Sequence, residues 1–226
     1  MKFVVLNNKC FLGYNEMLNY KKELDKIKTD YEIVLMPNIS YLSVFKDVKY
    51  SIGAQNFYSY NYGAYTGEVC LSILKDLNVT YTLVGHPERF SLRLDNYEEV
   101  KDKLFRSLNS NFKTILCIGK DNDIKLMKKE LKYYLKNIEN KSLQNMIIAY
   151  EPINIEEVNK EDIIYVMMEI KKYVERHFEI DIPFIYGGLV DKETIDEILE
   201  ITDGVIIGKE SSDINTVKEM ISKSCK

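Results

Sequence analysis

Tyr81-Thr82-Leu83-Val84-Gly85-His86-Pro87-Glu88-Arg89 reads as a strand, a turn and the start of a helix in direct succession. Residues 81–84 are too few for a helix and almost continuously apolar or β-branched, as a strand buried on both faces is. Pro87 fits the first position of a helix, where its missing N–H costs nothing. Outward from this junction, runs of the same kind recur at 3–6, 33–36, 51–54, 114–118, 146–149, 184–186 and 204–207. Charged segments with helical spacing lie between them, among them 15–28, 97–108, 123–136, 160–177, 192–199 and 213–223. Strand then helix, eight times over, predicts a parallel sheet with helical crossovers. Pro37, Pro87, Pro152 and Pro183 all fall at strand ends, and no Ser/Gly linker divides the chain. The expectation is an α/β fold, a (β/α)8 barrel in a single domain over residues 1–226, since doubly wound sheets usually hold about five or six strands.

Composition narrows the functional classes. Lys and Arg total 31 against 35 Asp and Glu, a net charge of −4. A nucleic-acid partner normally calls for a basic excess, so none is expected. A small anionic ligand needs only local positive potential. Cys10, Cys70, Cys117 and Cys225 lie far apart, and with two histidines no metal-binding spacing exists. They read as reduced thiols of a cytoplasmic protein, Cys117 as a core residue. No run approaches the ~18 apolar residues of a membrane span. Residues 3–6 are too short for a secretory core of roughly 7–15 apolar residues, so the N-terminus reads as a strand.

In such a barrel the chemistry sits on the loops that follow the strands. Asn7, Asn8 and Lys9 follow the first run, and Gly85, His86, Pro87 and Glu88 the fourth. Tyr150, Glu151 and Pro152 follow the sixth, Gly187 and Gly188 the seventh, Gly208 and Lys209 the eighth. A carboxylate, an imidazole and an ammonium therefore project toward one face. That set suits proton abstraction beside a carbonyl: Glu151 as base, His86 as hydrogen-bond donor to the carbonyl oxygen, Lys9 as the cation for the developing enediolate. A helix N-terminus at Pro87 would help keep His86 neutral. His177, at a helix end, reads as a partner for the helix dipole.

The stretch 81–89 also resembles the catalytic-histidine motif of the triosephosphate isomerase family. Ile148-Ala149-Tyr150-Glu151-Pro152 is similar to its catalytic-glutamate motif, and Asn7-Asn8-Lys9 to its Asn-Trp-Lys motif. Gly53-Ala54-Gln55-Asn56 and Gly63-Ala64-Tyr65-Thr66-Gly67-Glu68 resemble its third strand and the dimer-interface loop after it. Leu116-Cys117-Ile118-Gly119 and Tyr186-Gly187-Gly188 match later strands, so the resemblance runs in order along the whole chain. It implies a TIM barrel that isomerises a small phosphorylated sugar in glycolysis and gluconeogenesis, with no cofactor and no metal. It assigns Lys9, His86 and Glu151 to catalysis, the Glu base and neutral His electrophile being the pair known for this enzyme type. It assigns Asn7, Lys9, Gly187, Gly188, Leu189, Gly208 and Lys209 to substrate binding. It further implies that Glu88 orients Lys9, that Asp95 and Lys103 form a buried pair, and that Thr66 reaches across a homodimer interface.

The departures from the family pattern cluster at the phosphate end. Glu151-Pro152-Ile153-Asn154-Ile155-Glu156-Glu157-Val158 lacks the Gly-Thr-Gly lid tip and reads several residues shorter. Leu189 stands where the family has Ser, Lys209 where it has the second Gly of a pair, Asn8 and Asn154 where it has Trp, and Pro87 where it has Ser. Three readings stay open at this point: isomerisation of triose phosphates, isomerisation of another small sugar phosphate, or a non-catalytic barrel.

Overall fold

A computed structural model describes residues 1–153 and 158–223. Its eight strands are β1 (Phe3–Asn7), β2 (Glu32–Met36), β3 (Ser51–Ala54), β4 (Tyr81–Val84), β5 (Lys113–Ile118), β6 (Met146–Tyr150), β7 (Phe184–Tyr186) and β8 (Gly204–Ile207). Each pairs in parallel with its neighbours in chain order, and β8 pairs with β1 to close the barrel. All eight strands expected from the sequence are present, several with bounds one residue longer.

The near-continuous apolar runs have a direct cause. Alternate residues face opposite sides of a strand, and both sides are covered. Val5, Val34, Leu83, Ile115, Cys117, Ile147, Ala149, Ile185 and Ile206 fill the barrel interior. Val4, Leu6, Leu35, Val84, Leu116, Ile118, Ile148 and Ile207 face the surrounding helices. A side chain fully buried in either layer contributes about 1.5–3 kcal/mol. One polar contact fastens the layers: Ser107 bonds Thr82 of β4 at 2.7 Å and Thr114 of β5 at 2.8 Å, all three buried.

The helices are α1 (Tyr14–Leu24), α2 (Leu71–Asp76), α3 (Pro87–Ser91), α4 (Tyr97–Asn109), α5 (Ile124–Tyr134), α6 (Asn140–Leu143), α7 (Lys160–Phe178), α8 (Ile195–Ile201) and α9 (Ile214–Lys223). The eightfold strand–helix expectation needs one correction. Between β2 and β3 the described chain forms a 3-10 turn, Ile39–Phe45, capped by Asn38. The first helix stops at Leu24, short of the expected Lys28. The helix expected from 192 starts only at Ile195, because Asp191 accepts from the Glu193 and Thr194 amides and forms a local turn first. Asn96 and Asn159 close capping boxes at the starts of α4 and α7. His177, in the last turn of α7, stacks on Tyr173 with ring centroids 4.2 Å apart. No helix among the described residues is long and apolar enough to cross a membrane.

Candidate active site

Beyond the C-terminal ends of the strands lies a cavity of about 420 Å³, lined by Lys9, His86 and Glu151 together. Asn7, Gly187, Gly188, Leu189, Gly208 and Lys209 line it too, as does Glu88. Every sequence-predicted site residue but one is therefore brought together. The exception is Thr66, which sits on the exposed loop 60–68 and not at the cavity. The residues 154–157 and Cys225 lie outside the described residues, and with them the shortened-lid expectation and Asn154.

Lys9 leaves β1 with a left-handed φ of 48°. Gln55, just beyond β3, holds that unusual backbone by donating its amide to the carbonyls of Lys9 at 3.1 Å and Met36 at 2.9 Å. The Lys9 ammonium pairs with the Glu88 carboxylate. Glu88 is thus placed to orient Lys9 within the cavity.

His86 caps α3. Gly85 before it has φ +78°, which only glycine adopts without strain, and so turns the chain sharply from β4 into the helix. The Glu88 amide donates to His86 Nδ1 at 3.2 Å. That leaves the ring proton on Nε2, the nitrogen facing Glu151. Burial pushes the imidazole pKa down from 6.5 to about 4, with the charges of Lys9 and Arg89 adding to it and Glu88 opposing. The ring is neutral, but burial leads where the sequence suggested a helix dipole; α3 is only five residues long.

Glu151 follows β6. Its carboxylate is buried, and Oε1 has no hydrogen-bond partner among the described residues. Oε1 lies 3.9 Å from His86 Nε2. Burial raises its pKa from 4.5 to about 8; Lys9 pulls the other way and Glu88 pushes with it. An unsatisfied buried oxygen is costly in a folded protein and calls for a functional account. Here it faces a cavity, beside a neutral donor and a cation. Gly187 explains why the carboxylate can sit there, since a Cβ at that position would collide with it.

A second layer supports α3. Asp95 accepts from Arg89 Nε at 2.6 Å and from Lys103 at 2.5 Å, and Lys103 also bonds Asn56 at 2.8 Å. The expected Asp95–Lys103 pair is present, with Arg89 as a third member. Cys117 is a buried core thiol of the barrel interior, as expected.

Two contributors were named in the sequence reading but given no role there. Gln55 could have been found by the rule that polar residues after strands matter, had it been applied to the third run. Asn8, 1% exposed, points away from the cavity, and nothing in the local sequence announces its partner.

Comparison with known proteins gives a consistent result. A family model described as triosephosphate isomerase matches residues 2–224. Curated proteins named triosephosphate isomerase align over nearly the full length. That of Ureaplasma parvum serovar 3 is 32% identical, covering 100% of both chains. That of Orientia tsutsugamushi strain Ikeda is 30% identical over 96% of both, and that of Helicobacter acinonychis strain Sheeba 29% over 98% of both.

Proposed function

The chain belongs to the triosephosphate isomerase family, and from that premise we propose that it interconverts dihydroxyacetone phosphate and glyceraldehyde 3-phosphate through an enediolate. The observation that carries the reading is one cavity in which a partnerless Glu151 oxygen faces the protonated nitrogen of a neutral imidazole at 3.9 Å, beside the Lys9 ammonium. Glu151 removes a proton from the carbon next to the carbonyl, and the electron pair of the broken C–H bond moves toward the carbonyl oxygen. His86 Nε2–H donates to that oxygen, and Lys9 offsets its negative charge. Glu151 then returns the proton to the neighbouring carbon while His86 carries the oxygen-bound proton across, which completes the aldose–ketose exchange.

The phosphate falls to the other end of the cavity, where Gly187, Gly188, Leu189, Gly208 and Lys209 meet. Asn7 and Lys9 contact the reacting end. The pathway place is glycolysis and its reverse, and the compartment the cytoplasm. We assign the working form to a homodimer. The loop 60–68 supports this: Tyr62 and Tyr65 stand exposed, while the Tyr58, Tyr60 and Tyr65 rings cluster and Arg106 lies over Tyr60. Such a preformed exposed aromatic surface suits a second copy, with Thr66 at its tip. Sedimentation showing a monomer at every concentration would defeat that assignment.

A coupled assay tests the activity. The Glu151→Gln variant loses kcat by about 10³-fold or more, since it keeps the shape of the side chain but not the base. Equal rates for the variant and the parent protein would remove the reading.

A further inference from the structure

Asn8 is almost fully buried, yet its side chain is turned from the cavity. Its amide donates to the Ser211 carbonyl at 2.8 Å and to the Ser211 hydroxyl at 3.2 Å. The Ser211 hydroxyl in turn donates to the Gly208 carbonyl at 2.7 Å, and the Ser211 amide to the same carbonyl at 2.9 Å. These bonds close the 3-10 turn Lys209–Ser212, which Lys209 opens. Asn8 thus joins segments 203 positions apart in the chain. The residue after it is Lys9.

The two cations of the cavity stand in adjoining loops. A Cβ on Gly208 would lie 3.7 Å from Lys9 Nζ. Lys9 has Glu88 as its partner, whereas among the described residues the Lys209 ammonium forms no ion pair. A four-residue 3-10 turn has poor internal hydrogen-bond geometry and holds its shape weakly by itself. Freezing a lysine-bearing turn at the moment of binding would cost affinity.

We propose that Asn8 is a positioning residue: its buried amide locks the turn that carries Lys209 to the strand end that carries Lys9, and so fixes Lys209 for the substrate phosphate. The inference rests on the reading above that the phosphate lies at Lys209. It adds that affinity for phosphate depends on a residue that never touches it.

Titrating inorganic phosphate into the full-length chain tests this without any need for turnover. Lys209→Met weakens phosphate binding about tenfold, the loss of one charge-assisted contact. Asn8→Leu, of similar volume but without the amide, weakens it about fivefold in the otherwise unchanged chain and less than about twofold in the Lys209→Met background. KM for the triose phosphate rises in parallel with the dissociation constant, and kcat changes far less. Ser211→Ala removes only the hydroxyl link; it shifts binding in the same direction by about twofold and serves if Asn8→Leu does not fold. The proposal is overturned if Asn8→Leu binds phosphate like the parent, or if its full effect persists without Lys209. Unchanged binding by Lys209→Met would overturn it too, at its phosphate premise. The Glu151→Gln assay reports on catalysis separately, so the two failures are distinguishable.

Discussion

At the reacting end of the cavity, His86 and Glu151 are buried, and His86 is fixed by a hydrogen bond at Nδ1. At the phosphate end, Leu189 is 55% exposed and Lys209 also stands in solvent. The first region is built inside a low-dielectric barrel mouth, where burial moves an imidazole to about 4 and a carboxylate to about 8. The second is built from loop backbone and one long-chained cation. The contrast locates where this sequence tolerates rewriting. Proton transfer needs groups placed to within a fraction of an ångström in a dry environment, whereas an anion can be gripped by amides or by a charge. Two of the departures from the family pattern, Leu189 and Lys209, stand at that exposed end, whereas Asn8 and Pro87 are buried.

Gly187 is the position where the two regions touch, so a substitution there weighs most. A methyl group would fall on the Glu151 carboxylate, within 3.0 Å of Oε2 as well as on Oε1. Gly187→Ala displaces the base and lowers kcat roughly hundredfold, the scale expected for a misplacement of about 1 Å. KM changes much less, because the charged groups at the phosphate end stay in place. Steady-state kinetics that show the reverse, a raised KM with kcat intact, would mean that Gly187 serves the phosphate and not the placement of Glu151.

Acid–base behaviour separates the two ends again. The free protein must lose a proton from Glu151 to act, so kcat/KM falls about tenfold per pH unit below about 8. His86, with a pKa of about 4, stays neutral across that range. Linkage gives a stability counterpart. The folded pKa of Glu151 lies above its ordinary 4.5, so its stabilising contribution is complete below 4.5 and is lost as pH rises through about 8. Glu151→Gln has no such proton to lose. Its stability relative to the parent therefore improves between pH 5 and 9 by on the order of 4 kcal/mol, nearly all of it below pH 8, read by urea denaturation at each pH. A pH-independent gap between the two would mean that the carboxylate is not buried.

Most of the reacting end was legible in the sequence for a physical reason. A parallel strand buried on both faces writes itself as an unbroken apolar run, and the loop that follows it lies at the barrel mouth. Lys9, His86 and Glu151 each follow such a run within three residues. The second crossover was not legible in the same way. Residues 39–45 carry Leu42 and Phe45 into the core from a 3-10 turn, and two apolar residues three apart are too few to mark a periodic segment. The Asn8–Ser211 contact joins opposite ends of the chain, and only closure of β8 on β1 creates it. Thr66 was assigned by resemblance alone, and nothing in its local sequence or in the cavity gives it a role.

Leu189 carries the mildest of these changes and probes the phosphate end alone. Its side chain is exposed at the cavity wall and offers a phosphate no hydrogen bond. Leu189→Ser supplies a hydroxyl at the same backbone position and removes an apolar group that an anion gains nothing from. One added neutral hydrogen bond in a solvated setting is worth about 1 kcal/mol or less, so KM falls about fivefold at most. Nothing in the substitution touches His86 or Glu151, so the catalytic step should not respond in proportion. An equal gain in kcat would mean that the two ends of the cavity are not separable, because the phosphate grip would then be setting the geometry of proton transfer.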